Sequence, residues 1–219
     1  MPTPARTAAT PASPAATPRL TSKGRATRER IVAAAAGLMF ENGVAGTSIE
    51  DVQLAAGVST SQVYHYFGDK KALVKAVIAY QSDTVVGAQE PLLGKLDSVA
   101  GLRAWSDAIV RLQRSRQCQG GCPIGSLGSE LAEIDDEARV DVAAGFSRWE
   151  QGIRSGLHAM HDRGELRRDV DPEALALATL AALQGGLLLT QIRRDTVALE
   201  AAMGAMIDHI ASLVVAVPA

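Results

Sequence analysis

Apolar residues recur at intervals of three and four along most of the chain, the spacing that gathers them on one face of a helix. Ile31, Ala35, Leu38 and Met39 form the first such stripe, which predicts a helix over residues 25–42 that Gly43 ends. Thr47 with Glu50 three residues on has the spacing of a capping box, where a hydroxyl and a carboxylate satisfy backbone N–H groups that lack a helical partner. Ile49, Val52 and Ala55 or Ala56 would form the buried face of this second helix. Gly57 follows, at a point where a left-handed backbone is cheap only for glycine, and Val58 can pack inside the pair. Ser59 and Gln62 repeat the capping spacing, and Val63 and Phe67, four apart, should face inward from a third helix. Thr60, Ser61, Gln62, Tyr64, His65 and Tyr66 are left for solvent or a partner. Asp69 then caps a fourth helix through Leu73, Val77 and Tyr80.

Beyond residue 83 the pattern predicts five or six more helices. Leu102, Trp105, Ile109 and Leu112 stripe residues 101–116, and QCQGGC reads as a loop before Pro123, which suits the first turn of the next helix. That helix passes through Leu127 and Leu131 and stops near Asp135. Val140, Ala144, Trp149, Ile153 and Leu157 mark a long helix from residue 137 to about 163, with Gly164 as its C-cap. Asp171 and Pro172, a capping carboxylate and a proline at the first helical position, start a helix over 172–193 that is apolar almost all round. Its Ala174, Ala178, Ala181, Ala182, Gly185 and Gly186 permit close backbone approach. The last helix, 196–215, carries Leu199, Met203, Met206, Ile207, Ile210 and Leu213. A helix apolar on every side must be covered on every side. The last two helices are therefore expected to pair with their copies in a two-fold four-helix bundle, burial within one subunit being the alternative.

Composition supports an all-α fold: aromatic residues make up only 4% of the chain while Ala and Leu abound, which favours close-packed helices over a β-sandwich. The absence of an unbroken apolar run of 18 residues predicts no membrane span. An N-terminus without an apolar core argues against a signal peptide, so a cytoplasmic location is expected. The net charge of −2 is unevenly spread. Residues 1–82 carry nine Lys or Arg against five Asp or Glu, a balance of +4, while the remainder carries thirteen against nineteen, −6. A basic head on an acidic body suits a protein that meets DNA at one end. Residues 1–22, rich in Pro, Ala and Thr and free of acidic residues, are expected to form a disordered basic extension. Arg6, Arg19, Lys23, Arg25 and Arg28 would let it touch DNA backbone or minor groove, the alternative being an extension without a role.

The polar and aromatic cluster from Ser59 to Tyr66 brings the first candidate chemistry. Hydroxyls, an amide, an imidazole and phenols reach phosphate oxygens or base edges, and a glycine-punctuated helix pair is how a helix-turn-helix offers such groups to the major groove. A capped helix pair that merely packs is the alternative. The segments RERIVAAAAGLMFENG, TSIEDVQLAAGVS and VYHYFGDKKAL, in that order, make residues 25–80 resemble the DNA-binding domain of the TetR family of bacterial repressors. The resemblance implies an all-α fold with a three-helix DNA-binding head at residues 23–82, its helix-turn-helix at 48–67, and a helical ligand-binding and dimerisation domain at 83–219. It implies a homodimer on double-stranded operator DNA, released by a small-molecule effector through a shift of the linking helix. By the resemblance Thr47 and Lys70 would hold phosphates and Thr60, Ser61, Tyr64, His65 and Tyr66 would line the DNA face; Ser59 and Gln62 are expected in the groove with them because residues 59–66 enter it together. The family often carries Lys or Arg where Thr60 stands and Gly where Ser61 stands, so base readout at these two positions is expected to be weak.

An effector pocket would lie among the middle helices. Trp105, Ile109, Leu112, Cys122, Ile124, Leu127, Phe146, Trp149, Ile153, Leu187, Leu188 and Gln191 are candidates to line it, and such a mostly apolar set suits a small lipophilic or aromatic molecule. Ordinary core packing is the competing role for each. Cys118 and Cys122 flank two glycines beside Arg114 and Arg116, and Cys122 precedes a helix start; both features lower a thiol pKa. GCPIGSLGSELAE also resembles a motif of a TetR subgroup that includes electrophile- and redox-responsive repressors, so thiol sensing by Cys122, with or without Cys118, stands beside a structural thiol. Metal binding would require His158 and His161, from a separate helix, to converge on the two cysteines, and no metal is expected. GGCPIG lacks the Lys-Ser or Lys-Thr of a phosphate loop, and no histidine can be set against Cys122. Neither catalysis nor a cofactor is expected; a helical enzyme or carrier without DNA function is the remote alternative.

Overall fold

A computed structural model describes residues 20–215, so the extension expected over residues 1–22 lies, up to residue 19, outside the described residues. Four helices make the head and its link: α1 (Ser22–Asn42), α2 (Ile49–Ala56), α3 (Thr60–Phe67) and α4 (Lys70–Gly87). Six make the body: α5 (Glu90–Leu93), α6 (Val99–Ser115), α7 (Pro123–Leu131), α8 (Asp136–Asp162), α9 (Pro172–Arg193) and α10 (Val197–Ser212). Among the described residues the only β pairing is one antiparallel bridge between Leu166 and Val214.

In the head, Ile31, Ala35 and Met39 of α1 pack with Val52 of α2 and Val63 and Phe67 of α3 in one buried cluster. α1 begins earlier than its apolar stripe because the Thr21 hydroxyl caps it, accepting the Gly24 N–H at 3.1 Å. The cap of α2 is Ser48 rather than Thr47: Ser48 N–H donates to Asp51 Oδ2 at 2.9 Å and Asp51 N–H donates to Ser48 Oγ at 3.1 Å. That arrangement holds the Asp51 carboxyl below its ordinary range, through the Ser48 hydroxyl first and its backbone N–H second. Gly57 takes the left-handed conformation the turn needs, at φ 62° and ψ 45°. Ser59 and Gln62 close the second capping box as the spacing predicts.

The boundary expected at residue 82 falls inside α4, which runs unbroken from head to body. Asp69 caps it, accepting the Ala72 N–H at 2.7 Å. One side of α4 packs on α1, where Gln81 Nε2 donates to Ala36 O at 3.4 Å. The other packs on α8, where Ser82 sits so close to Gly145 that a Cβ there would collide with its hydroxyl. On α8 the buried stripe is Ala138, Val142, Gly145, Trp149 and Ile153, whereas Val140 and Ala144, expected to face inward, are exposed.

α9 and α10 cross closely at Gly186, whose Cβ would stand 2.8 Å from Leu199 Cα. By length and composition α9 is apolar enough to cross a membrane, which the count of unbroken apolar residues overlooked. Its packing is two-sided: Leu175, Ala176, Leu180, Leu183 and Leu187 are buried, while Leu177, Leu188, Leu189 and Ile192 are exposed.

Candidate DNA interface and ligand groove

α3 is anchored at its start and along one side. Its cap is closed, Val63 and Phe67 are buried, and the Arg28 guanidinium lies over the Phe67 ring at 5.1 Å. The opposite side of the helix carries Ser59, Ser61, Gln62, Tyr64 and His65, all exposed, Tyr64 to 48%. Ser59 and Ser61 share a hydroxyl hydrogen bond of 2.9 Å, which leaves both oxygens near the surface. Tyr66 is half-buried, its ring meeting that of His65 edge-on at 5.2 Å between centroids.

Three further candidates are already engaged. Thr60 is half-buried and its hydroxyl donates to Gln53 Oε1 on α2, so Gln53 tethers the start of α3, a partner that sequence spacing alone does not reveal. Lys70 Nζ donates to Val44 O at 2.7 Å in the turn between α1 and α2. Thr47, expected on the DNA face as a phosphate ligand, is only 1% exposed, and its hydroxyl donates to Gly43 O at 2.8 Å. Its hydroxyl is consumed in fixing the turn that precedes α2. The surface offered by the head is therefore a compact row, Ser59 to His65, with hydrogen-bonding groups of both polarities and two rings.

The body contains a groove of about 870 Å³ between α7, α8 and α9, a size within the range that holds small molecules. Of the sequence candidates, Cys122, Phe146, Leu188 and Gln191 line it. Trp105, Ile109, Ile124, Leu127, Trp149, Ile153 and Leu187 do not; they are buried in the packed core, and Leu112 is 44% exposed on α6. Large side chains fill the interior, and the hollow opens where α7, α8 and α9 present small ones: Gly125, Gly128, Ala143, Ala181 and Gly185. Trp105 is also satisfied as a donor, its Nε1 bonded to Gln89 Oε1 at 2.8 Å. The Gln184 side-chain amide is buried at the groove wall, on the side of the Cys122 thiol.

Cys122 caps α7, accepting the Gly125 N–H at 3.4 Å. Burial pushes its thiol pKa up, outweighing the backbone N–H groups of Gly125 and Ile124 and the Gln184 side chain, which act the other way. The lowering expected from neighbouring arginines is not found. Arg114 points to α10 instead, donating to Thr196 Oγ1 at 3.2 Å and Glu200 Oε1 at 2.7 Å. Among the described residues no group of three His, Cys, Asp or Glu side chains is placed to hold a metal.

Comparison with known proteins matches both parts of the chain. The family described as bacterial regulatory proteins, tetR family, matches residues 31–77, and the family described as tetracyclin repressor-like, C-terminal domain, matches residues 98–206. An HTH-type transcriptional regulator encoded in the lacX 3' region of Lactococcus lactis is 32% identical over 181 residues, covering 80% of this chain and 89% of that one. The HTH-type transcriptional repressor DhaR of Mycobacterium sp. strain GP1 is 26% identical, covering 77% and 84%. A TetR transcriptional regulator of Chloroflexus aurantiacus superposes with a TM-score of 0.75 at 31% identity, covering 89% of this chain and 98% of that structure. Identity of this extent, spread over head and body alike, settles the class: the chain belongs to the TetR family of transcriptional regulators and is not an enzyme.

Proposed function

We propose that the protein is a repressor that grips operator DNA as a two-fold dimer and releases it when a small apolar molecule occupies the groove between α7, α8 and α9. The exposed row from Ser59 to His65 on the doubly capped helix pair carries this reading, because a rigid helix with its polar side unpartnered is what a major groove accepts. Lys70 keeps two of its three ammonium hydrogens for a phosphate, and Tyr66 lies at the edge of the row. Two heads set about 34–36 Å apart would meet successive major-groove faces on one side of the duplex. Working on DNA, the protein would act in the cytoplasm.

The second subunit would cover the apolar side of α9, with α10 beside it. Leu177 and Leu188 belong both to that exposed side and to the groove wall, so the partner would also narrow the groove mouth. A mostly apolar wall favours a lipophilic or aromatic effector. Such a molecule releases DNA only by binding the two head spacings unequally.

Tyr64→Ala tests the DNA face. Gel shift on DNA flanking the protein's own gene should show affinity reduced by about tenfold or more, the scale of one lost groove contact, with the dimer mass unchanged. Affinity equal to wild type would remove α3 from the interface.

A further inference from the structure

Both ends of α7 are fastened to the DNA-reading head. At the C-terminal end, Glu130 Oε2 accepts the Val44 N–H at 2.8 Å and Glu130 Oε1 accepts the Ala45 N–H at 2.7 Å. Val44 and Ala45 lie in the turn between α1 and α2, four and three residues before the Ser48 cap. Lys70 holds the Val44 carbonyl from the other side, so a carboxylate grips the donors of this turn while an ammonium grips its acceptor. Gly43 makes room for the carboxylate: a Cβ there would stand 3.1 Å from Glu130 Oε2. At the N-terminal end of α7, the loop through Gly120 and Gly121 is wedged between Phe40 of α1 and Gln191 of α9, and a Cβ on either glycine would collide with those side chains.

Between its two fastened ends, α7 gives Gly125, Ser126, Gly128 and Ser129 to the groove wall. We infer that Glu130 is the positioning residue through which groove occupancy reaches the DNA-reading head. A molecule that fills the groove displaces α7, and the carboxylate carries the displacement to the Val44–Ala45 turn and so to α2 and α3. A charge-assisted bond to two adjacent N–H groups fixes direction as well as distance, which suits it to transmit a shift. The other head-to-body link is α4 itself, which packs on α8 at the Ser82–Gly145 seam and is flanked by the pairs Lys71 with Asp135 and Glu137 and Lys75 with Asp141, at 3.4–3.6 Å. The three pairs add little to that seam, and neither they nor the seam touches the Val44–Ala45 turn, which Glu130 holds directly.

The inference rests on the groove being the effector site, and its test keeps the two apart. Ala143, exposed on α8 at the groove wall, is replaced by Trp so that an indole occupies part of the groove. The wild type, A143W, E130Q and the double variant are compared by gel shift on a duplex selected from random sequence, and by hydrogen exchange at the Val44 and Ala45 amides. A143W should change operator affinity by about 5- to 150-fold, the usual range of coupling between two sites, and by less than about twofold in the E130Q background. It should also speed exchange at both amides. Equal shifts in the two backgrounds, or none in the wild-type background, overturn the role of Glu130. Failure to select any duplex counts against the DNA-binding reading instead, and the exchange arm still decides: unchanged exchange in A143W overturns the inference without DNA. Ala143→Phe repeats the cycle with a smaller ring should the indole prevent folding.

Discussion

The Cys122 thiol sits where two opposite effects meet. As the cap of α7 it faces the positive end of a helix and accepts a backbone N–H, both of which favour a thiolate. Burial works against the charge and wins, so the thiol stays protonated to higher pH than a free cysteine. Iodoacetamide at pH 8 should therefore modify Cys122 more slowly in the folded protein than in a short peptide of the same sequence, read by peptide mass spectrometry. Equal rates would mean the thiol is open and activated, and would revive a sensing role. The cap position was legible because Cys122 directly precedes Pro123. Its burial was not, since the groove wall around it comes from α8 and α9, remote in sequence.

At the scale of elements, what the sequence declared locally is what the structure contains. Gly57, the Ser59 and Gln62 box, Asp69, Pro123 and the Asp171–Pro172 pair each act within four residues of themselves. The cap of α2 was misplaced by one residue for a local reason: Ser48 with Asp51 has the same spacing as Thr47 with Glu50, and Thr47 is buried against the turn. The phase of α8 failed near its start, where an alanine-rich run leaves the stripe open to more than one reading. Most pocket candidates lie outside the groove for another reason: large side chains draw attention in a sequence and pack into the core, whereas the groove opens at small ones. Small residues also set the seam between α4 and α8. The Ser82 hydroxyl opposite Gly145 is pinned by its bond to Ile78 O at 2.9 Å and cannot swing aside freely. Gly145→Ala should thus force the helices apart and destabilise the fold by about 1–3 kcal/mol, measured by chemical denaturation. An unchanged midpoint would show that the seam absorbs a methyl group without strain.

The whole molecule combines a basic head, an acidic body and an uncovered apolar side on α9, and the last of these is the side that a second subunit is proposed to cover. Ile192, Leu177 and Leu188 of α9 are 67%, 58% and 56% exposed in the single chain. Fully burying a side chain of this size is worth about 1.5–3 kcal/mol, and a two-fold contact counts each residue twice. Ile192 is the most informative of the three because it does not line the groove. A lysine at this position would remain solvated in the single chain, leaving each subunit folded. In the dimer its ammonium would be buried without a partner at a cost of several kcal/mol. Ile192→Lys should therefore sediment as a folded monomer at concentrations where the wild type is a dimer, with an unchanged helical circular dichroism signal. Operator binding should fall with it, since one head alone meets only a half-site. A variant that stays dimeric would move the interface off this side of α9, and the groove would then lose the partner expected to narrow its mouth.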